Sequence, residues 1–454
     1  MKNSQSPNRI WISLILFALL SAAALSQGQE TTKAEVTLDA ARKASVVEGV
    51  GRRLVDHYIF PETAEKMDAH IKARLEEGKY DAIEEAGAFA GILTQDLRSI
   101  SHDKHIRVTF DPEAVRRIRA YGSRDEKERE RERKAALERE RRRNFGFRRL
   151  EILEGNIGYL ELTRFSGREE AAETITAAMN FLAESDAVII DLRGNGGGSP
   201  FTIQIISSYF LREYTHLNSF EWRGDDTIKQ FWTLRHVPGK KLYDTDLYIL
   251  TSPRTFSAAE EFTYNLKNLE RAVIVGETTG GGAHPGGARI VDDSFLVWVP
   301  SGRAINPITG TNWEGTGIEP HIQVDQMKAL DTAHQRALEK IAKKTEDPAQ
   351  KQSAQWALDG LKARLKPAEV DEGVLRQYAG TYSRGEAYVK EGRLFFKTGY
   401  RAFPLIPLRE NYFVLEGWDA MRIEFIEDEA GGGYVIRGHR PDGTTEISRR
   451  VDTD

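Results

Sequence analysis

Between residues 155 and 275 the chain alternates short apolar runs with amphipathic stretches, and this alternation limits its fold more than any other feature. Residues 157–162 read as a strand and 169–183 as a helix. Residues 187–192, apolar but for Asp191, read as a strand of the kind covered on both faces, and 200–210 read as the next helix. Strand 248–251, helix 258–269 and strand 272–275 complete the pattern. Such a succession predicts an α/β core with a mixed or parallel sheet. In sheets of this kind, sites gather in loops beyond the carboxyl ends of the strands. Two glycine-rich loops and one serine-bearing turn fall at such ends.

The flanks read differently. Residues 34–85 carry apolar side chains at helical spacing (Val46, Val47, Val50, Leu54, Val55, Tyr58, Ile59) with a break at Pro61. A second helix, 88–100, and a short strand, 106–110, follow, so residues 34–112 are expected to form a small helical domain. Residues 113–150 form a charged linker in which 123–143 are nearly all Arg, Glu and Lys. Its alternating signs predict one solvated, salt-bridged helix capped by Ser123, with disorder as the alternative. The core is placed at 151–330 and a helical connector at 331–370. Short period-two runs from 371 to 454 predict a small antiparallel β-barrel or sandwich.

At 454 residues there is length for several domains, and the net charge of -5 implies neither a nucleic acid nor an anionic membrane partner. The absence of cysteine excludes disulfides, thiolate nucleophiles and thiolate metal sites, and leaves serine as the candidate for covalent chemistry. Lys2 and Arg9 precede an apolar run at 10–20 and a small-residue stretch ending Ala24-Leu25-Ser26. This is the layout of a signal peptide over residues 1–26, which places the mature protein in the periplasm or outside the cell; an uncleaved anchor is the alternative.

Ser257 lies between an apolar strand and an amphipathic helix, in Thr255-Phe256-Ser257-Ala258-Ala259-Glu260. A hydroxyl there is exposed at the positive end of a helix dipole, where an oxyanion is stabilised. The same spacing, Ser257-x-x-Glu260, is also a helix capping box. Asp191-Leu192-Arg193-Gly194-Asn195-Gly196-Gly197-Gly198 closes a buried strand with consecutive glycines whose amides are free to meet a ligand. Phosphate binding is disfavoured, because the Walker lysine is absent and position 199 is Ser199 where a dinucleotide fingerprint needs glycine.

Taken together, these segments resemble the tail-specific, or C-terminal processing, serine peptidase family over residues 155–325. The marks are Gly158-Tyr159-Leu160, the 191–198 loop, Thr255-Phe256-Ser257-Ala258, Val275-Gly276-Glu277-Thr278-Thr279-Gly280-Gly281 and Gly315-Thr316-Gly317-Ile318-Glu319-Pro320. The amino-terminal helices resemble the preceding domain of the interphotoreceptor retinoid-binding branch. The resemblance implies a crotonase-type α/β core and a serine endopeptidase that needs no cofactor and takes protein or peptide substrates. Many relatives use a serine–lysine dyad, but the stretch after the Gly-Glu-Thr motif, Gly280-Gly281-Gly282-Ala283-His284-Pro285, holds no lysine. The tricorn-like branch instead takes a histidine from an earlier domain and a glutamate after the nucleophile. On that pattern His105 matches the base and Glu314 the acid. An imidazole titrating near neutrality can take the hydroxyl proton while a carboxylate fixes its tautomer. His284 is the alternative base and His102 a further candidate by position; a plain ion pair with an arginine is the alternative for Glu314. The amides of Gly197 and Ala258 are assigned to the oxyanion hole, with the next glycine as the other register. Relatives often carry a PDZ domain before the core, whereas here only the charged linker fills that interval. The retinoid-binding branch carries lipids on the same scaffold, so a non-catalytic retinoid or fatty-acid carrier is the alternative function. His102 and His105 lack the spaced carboxylate of a zinc pattern, and no metal is expected.

Overall fold

The computed structural model describes residues 38–225, 227–429 and 433–451. The expected signal peptide lies outside them, and among the described residues no helix is long and apolar enough to cross a membrane. The chain packs as two compact units. One comprises the residues up to Glu151 with Tyr159–Glu184 and Val188–Ala329; the other comprises Ile152–Gly158, Ser185–Ala187 and the residues from Leu330 onward.

The first unit opens with helices α1 (Ala40–His57), α2 (Pro61–Glu76) and α3 (Ala86–Ser101). Asp39 caps α1 by accepting from the Arg42 amide at 2.7 Å, and Glu85 caps α3. Pro61 starts α2 rather than merely breaking a helix, since the first helical position needs no N–H. Strand β1 (Arg107–Phe110) follows, then α4 (Pro112–Ser123) and α5 (Glu126–Arg142). The charged linker is thus two helices, and the cap of α5 is Asp125, not Ser123. An extended residue at Arg124 separates them. No residue of α5 is buried, and pairs such as Arg133–Glu126 and Arg141–Glu138 lie along it.

Next come β2 (Phe147–Leu153), β3 (Ile157–Leu162), α6 (Ala171–Phe181), β4 (Ala187–Asp191), α7 (Pro200–Phe210), β5 (His216–Trp222), β6 (Ile228–Trp232) and β7 (Asp246–Thr251). They lead to α8 (Ala258–Asn268), β8 (Val273–Gly276), β9 (Gly286–Ile290), β10 (Phe295–Pro300), β11 (Gly302–Ile305) and β12 (Ile322–Gln323). A six-stranded sheet in the order β12-β8-β7-β4-β3-β2 is the centre of the α/β core; β7–β8 and β8–β12 run parallel. Leu160, Val188, Ile190, Ile249 and Ile274 of the sheet and Ile175, Ile206, Phe262 and Leu266 of the helices form its buried core.

The amino-terminal helices do not close a core of their own. Val46, Val50, Leu54, Met67, Phe89 and Leu93 share one cluster with Phe295, Val297 and Val299 of β10. Strand β1 pairs antiparallel with β10, matching Arg107 to Trp298 and Phe110 to Phe295. The segment expected at 34–112 as a domain therefore packs with the later chain, because its helices present more apolar surface than they can bury among themselves.

The second unit holds α9 (Ala329–Lys344), α10 (Pro348–Leu365), α11 (Glu372–Tyr378) and an eight-stranded antiparallel sheet, β13 to β20, in sequence order from Gly380 to Ser448. Tyr382 in the first strand bridges Arg450 beyond the last, and the Val451 amide donates to Thr381 O at 2.9 Å. The sheet thus curls into a nearly closed barrel around Leu394, Phe396, Phe413, Ile423 and Phe425.

Candidate active site

Ser257 stands between β7 and α8 with φ 56° and ψ -122°. A side chain bearing Cβ occupies that region at a cost of about 1–3 kcal/mol, and only where its surroundings impose it. Here they do. The Thr255 hydroxyl donates to Leu192 O at 2.8 Å, the Phe256 amide to Asn195 O at 3.0 Å and the Ser252 hydroxyl to Arg193 O at 2.6 Å. The 191–198 loop that receives them is fixed in turn. Arg193 Nε lies 2.9 Å from Asp191 Oδ1, the Tyr159 hydroxyl donates to Asp191 Oδ2 at 2.8 Å and Asn195 Nδ2 donates to Leu162 O at 2.9 Å. A sharp strand-to-helix turn of this kind exposes a serine hydroxyl at the top of the sheet.

The capping-box reading holds. Glu260 accepts from the Ser257 amide at 2.8 Å, and the serine side chain faces the Glu260 amide in return. Glu260 does much more than cap. Fully buried, it also accepts from Thr279 Oγ1 at 2.5 Å and from the Gly281 and Gly282 amides at 2.6 and 2.9 Å. Burial pushes its carboxyl above the usual range even against these four donors. One carboxylate thus ties the turn at residue 257 to the loop at 279–282.

Of the two amides assigned to an oxyanion hole, that of Ala258 is at the first position of α8 and has no intrahelical acceptor. That of Gly197 is not free: it donates to Asn195 Oδ1 at 2.9 Å. The Asn195 side chain folds back on its own loop and takes that donor, whereas the Gly198 amide makes none of the loop's hydrogen bonds. Gly197 itself, at φ 109°, presses on the serine turn; a Cβ there would lie 2.9 Å from both Phe256 O and Ser257 Cβ.

His105, His284 and Glu314 converge. His105 is packed on Phe256, the residue before Ser257, with ring centroids 4.7 Å apart. Its side chain is 9% exposed, and its Nδ1, buried with no hydrogen-bond partner, lies 3.9 Å from Asp103 Oδ1. Glu314 Oε2 accepts from the Ala283 and His284 amides, while its Oε1 is buried and unpartnered. His284 Nδ1 lies 2.9 Å from Asp103 Oδ2 and 3.4 Å from Glu314 Oε2. His102 is exposed, in the left-handed conformation that ends α3, and takes no part.

Burial lowers the His105 pKa to about 4; Asp103 opposes the shift, and His284 and Arg98 add to it. Burial and the neighbouring Asp103 raise Glu314 to about 7, against His284 and the amides of Ala283 and Lys104. One donor atom from each of Asp103, His105 and Glu314 falls within 4.8 Å of the others. The three could hold a cation, and the same spacing suits a proton-transfer chain. Glu314 Oε2, committed to two amides, favours the second.

Asp103 and Glu260, both fully buried, join this candidate site without a signal of their own in the sequence. Asp103 sits two residues from His105, and Glu260 was visible only as the last position of a cap.

Residues 156–324 match the model of peptidase family S41. The chain carries a family S41 domain. Residues 30–139 match the N-terminal domain of S41 peptidases in eukaryotic IRBP. The carboxy-terminal processing protease CtpB of Bacillus subtilis is 28% identical over 174 residues, which is 38% of this chain and 34% of that protein. The carboxyl-terminal-processing protease of Synechocystis sp. is 31% identical over 128 residues, 28% of each chain. The chain thus spans about a third of the length of the curated relatives it matches. Among solved structures, the photosystem II D1 C-terminal processing protease aligns at 23% identity and TM-score 0.32, over 37% of this chain and 42% of that one. A lipoprotein from Streptococcus agalactiae aligns at 16% and 0.42, over 70% of this chain and 100% of that one. Ser257, Ala258, Glu260, His284 and Glu314 fall inside the S41 match, and Asp103 and His105 inside the amino-terminal match.

Proposed function

We propose that the protein is a serine peptidase that hydrolyses peptide bonds of polypeptide substrates outside the cytoplasm, on an α/β core of the crotonase type. The observation that carries this reading is the strained turn at Ser257, held by three hydrogen bonds to the neighbouring glycine-rich loop. A cap does not need that conformation; a nucleophile presented to substrate does. The match to family S41, and relatives named as processing proteases, support the peptidase reading. The signal-peptide layout of residues 1–26 supports the location.

In the proposed reaction His105 takes the hydroxyl proton as Ser257 Oγ bonds to the substrate carbonyl carbon. The C=O becomes an oxyanion facing the Ala258 and Gly198 amides. On collapse the C–N bond breaks, and the leaving amine receives the proton from His105. Water then repeats the sequence on the acyl-enzyme, restoring Ser257 and releasing the acid. Glu314 Oε1 orients the ring through Nδ1. A base whose pKa lies near 4 is neutral at working pH, as the first step requires.

The test is labelling of purified protein with a fluorophosphonate, together with hydrolysis of casein. The wild type is expected to be modified at Ser257 and to cleave. Ser257→Ala is expected to lose labelling and to cleave at least a thousand times more slowly while melting as a folded protein. Casein cleavage by Ser257→Ala at the wild-type rate would overturn the assignment.

A further inference from the structure

His284 entered the sequence reading as a rival base; the structure gives it other work. Its ring lies 8% exposed between two carboxylates, with Nδ1 2.9 Å from Asp103 Oδ2 and 3.4 Å from Glu314 Oε2. Phe60 closes one side, edge-on at 5.4 Å. The His284 amide donates to Glu314 Oε2 at 3.1 Å, so backbone and ring both address the same acid. Asp103 is held by more than this ring: its Oδ1 accepts from the His105 amide at 2.9 Å and its Oδ2 from the Tyr58 hydroxyl at 3.2 Å.

The consequence is electrostatic. Two carboxylates buried in one site repel, and one of them is driven toward its neutral form unless a donor stands between them. A protonated Glu314 could no longer fix the His105 tautomer. Glu314 has the amides of Ala283, His284 and Lys104, but the side-chain donors nearby are committed elsewhere. Tyr58 already points at Asp103, and Arg98 is spent on the carbonyls of Lys104 and Ile106. The Lys104 ammonium binds Gly280 O, and Arg303 lies over the outer face of Phe60.

We propose that His284 and Asp103 form a positioning pair for the reaction: the His284 ring N–H, set between Asp103 and Glu314, keeps Glu314 ionised, and Asp103 fixes that ring and the backbone of His105. Neither residue touches substrate. The inference rests on the peptidase reading, and deepens it by assigning what sets the acid limb of its pH profile.

The experiment measures the second-order rate of Ser257 modification by a fluorophosphonate between pH 5 and 9. In the wild type the rate is expected to fall as the pH drops through about 7, where Glu314 takes a proton. In H284A the half-point is expected to move upward by about one unit, since a ring N–H that favours the ionised form of Glu314 is gone. D103N is expected to move it the other way, because the like charge that raises Glu314 is removed. Opposite displacements by two residues that bond to each other are not the mark of a merely structural pair, whose loss would lower the rate at every pH alike. Half-points of both variants within 0.3 of the wild type, on an order-of-magnitude view of titration error, overturn the proposal. If H284A does not fold, H284F, which keeps a ring and loses the N–H, takes its place: an upward shift supports the pair and none overturns it. A wild type that never labels sinks the peptidase reading instead, so the two failures are separable.

Discussion

Replacing Glu260 by Gln should damage both the stability and the reactivity of the site, and the size of the effect can be worked from its four donors. Oε2 receives the Ser257 and Gly282 amides; Oε1 receives the Gly281 amide and the Thr279 hydroxyl. A glutamine of the same shape brings one acceptor and one NH2 group. The amide nitrogen cannot sit at Oε2, where it would face two N–H groups. At Oε1 the Thr279 oxygen can turn acceptor, but the Gly281 amide is orphaned. A buried donor left without a partner costs about 1–3 kcal/mol. Loss of charge adds little, because burial already holds the carboxyl above its ordinary range, so the ionised form gains no net stabilisation from the site. The expected loss is therefore about 1–3 kcal/mol, or about 2–8 °C in melting temperature for a unit of this size. Glu260→Ala orphans all four donors and should cost about 4 kcal/mol or more, a large share of the stability of an ordinary domain. Calorimetry and the fluorophosphonate rate check both variants. Because Gly282 lies against His105, the rate should fall more steeply than stability, about tenfold or more for Glu260→Gln, the equivalent of about 1.4 kcal/mol at the transition state. A Glu260→Gln protein that melts within about 1 °C of wild type, roughly half the smallest shift the donor count allows, and labels at the same rate would refute the four-donor argument.

Two further outcomes follow from the geometry. Ser257→Gly removes the Cβ that makes φ 56° costly and should raise stability by about 1 kcal/mol while abolishing labelling; a lower melting temperature would mean that the turn is not strained. Glu261, fully buried beside Asn218, is raised to about 8 by burial. The folded state thus keeps a proton that the unfolded chain releases near the ordinary carboxyl value, so stability should decline as pH rises through that interval up to about 8. Glu261→Gln should flatten this decline between pH 5 and 8, seen as a melting temperature that varies less with pH than the wild type's; an unchanged slope contradicts it.

The strands and helices of the core were legible because each carries its own period: 187–190 is apolar throughout, and β4 is buried at every position. The turn at 255–257 was legible for the same reason, a strand running straight into a capped helix. What was hidden is what depends on a distant segment. The oxyanion register turned on whether Asn195 bends back on its own loop, which no spacing reveals. Glu260 looked like a cap because its three extra donors come from 279–282, and Asp103 looked like a neighbour of His105 because its partner is His284, 181 positions away. The split of the charged linker at Arg124 was hidden too, since Ser123 and Asp125 are both good caps and only the backbone shows which one is used.

The missing lysine finds its physical reason in Gly282. A Cβ at that position would come within 2.2 Å of Phe256 Cζ and 2.7 Å of His105 Cε1. A side chain at position 282 would therefore need the room that the His105 ring fills. The glycine and the histidine are two halves of one choice, made in segments far apart in sequence. The histidine can fill that space only because the helices that carry it complete their core on β10, and because β1, starting two residues after it, is paired to that same strand. The shared core thus reaches the candidate site: weakening Phe295, Val297 or Val299 should loosen His105 as well as the fold.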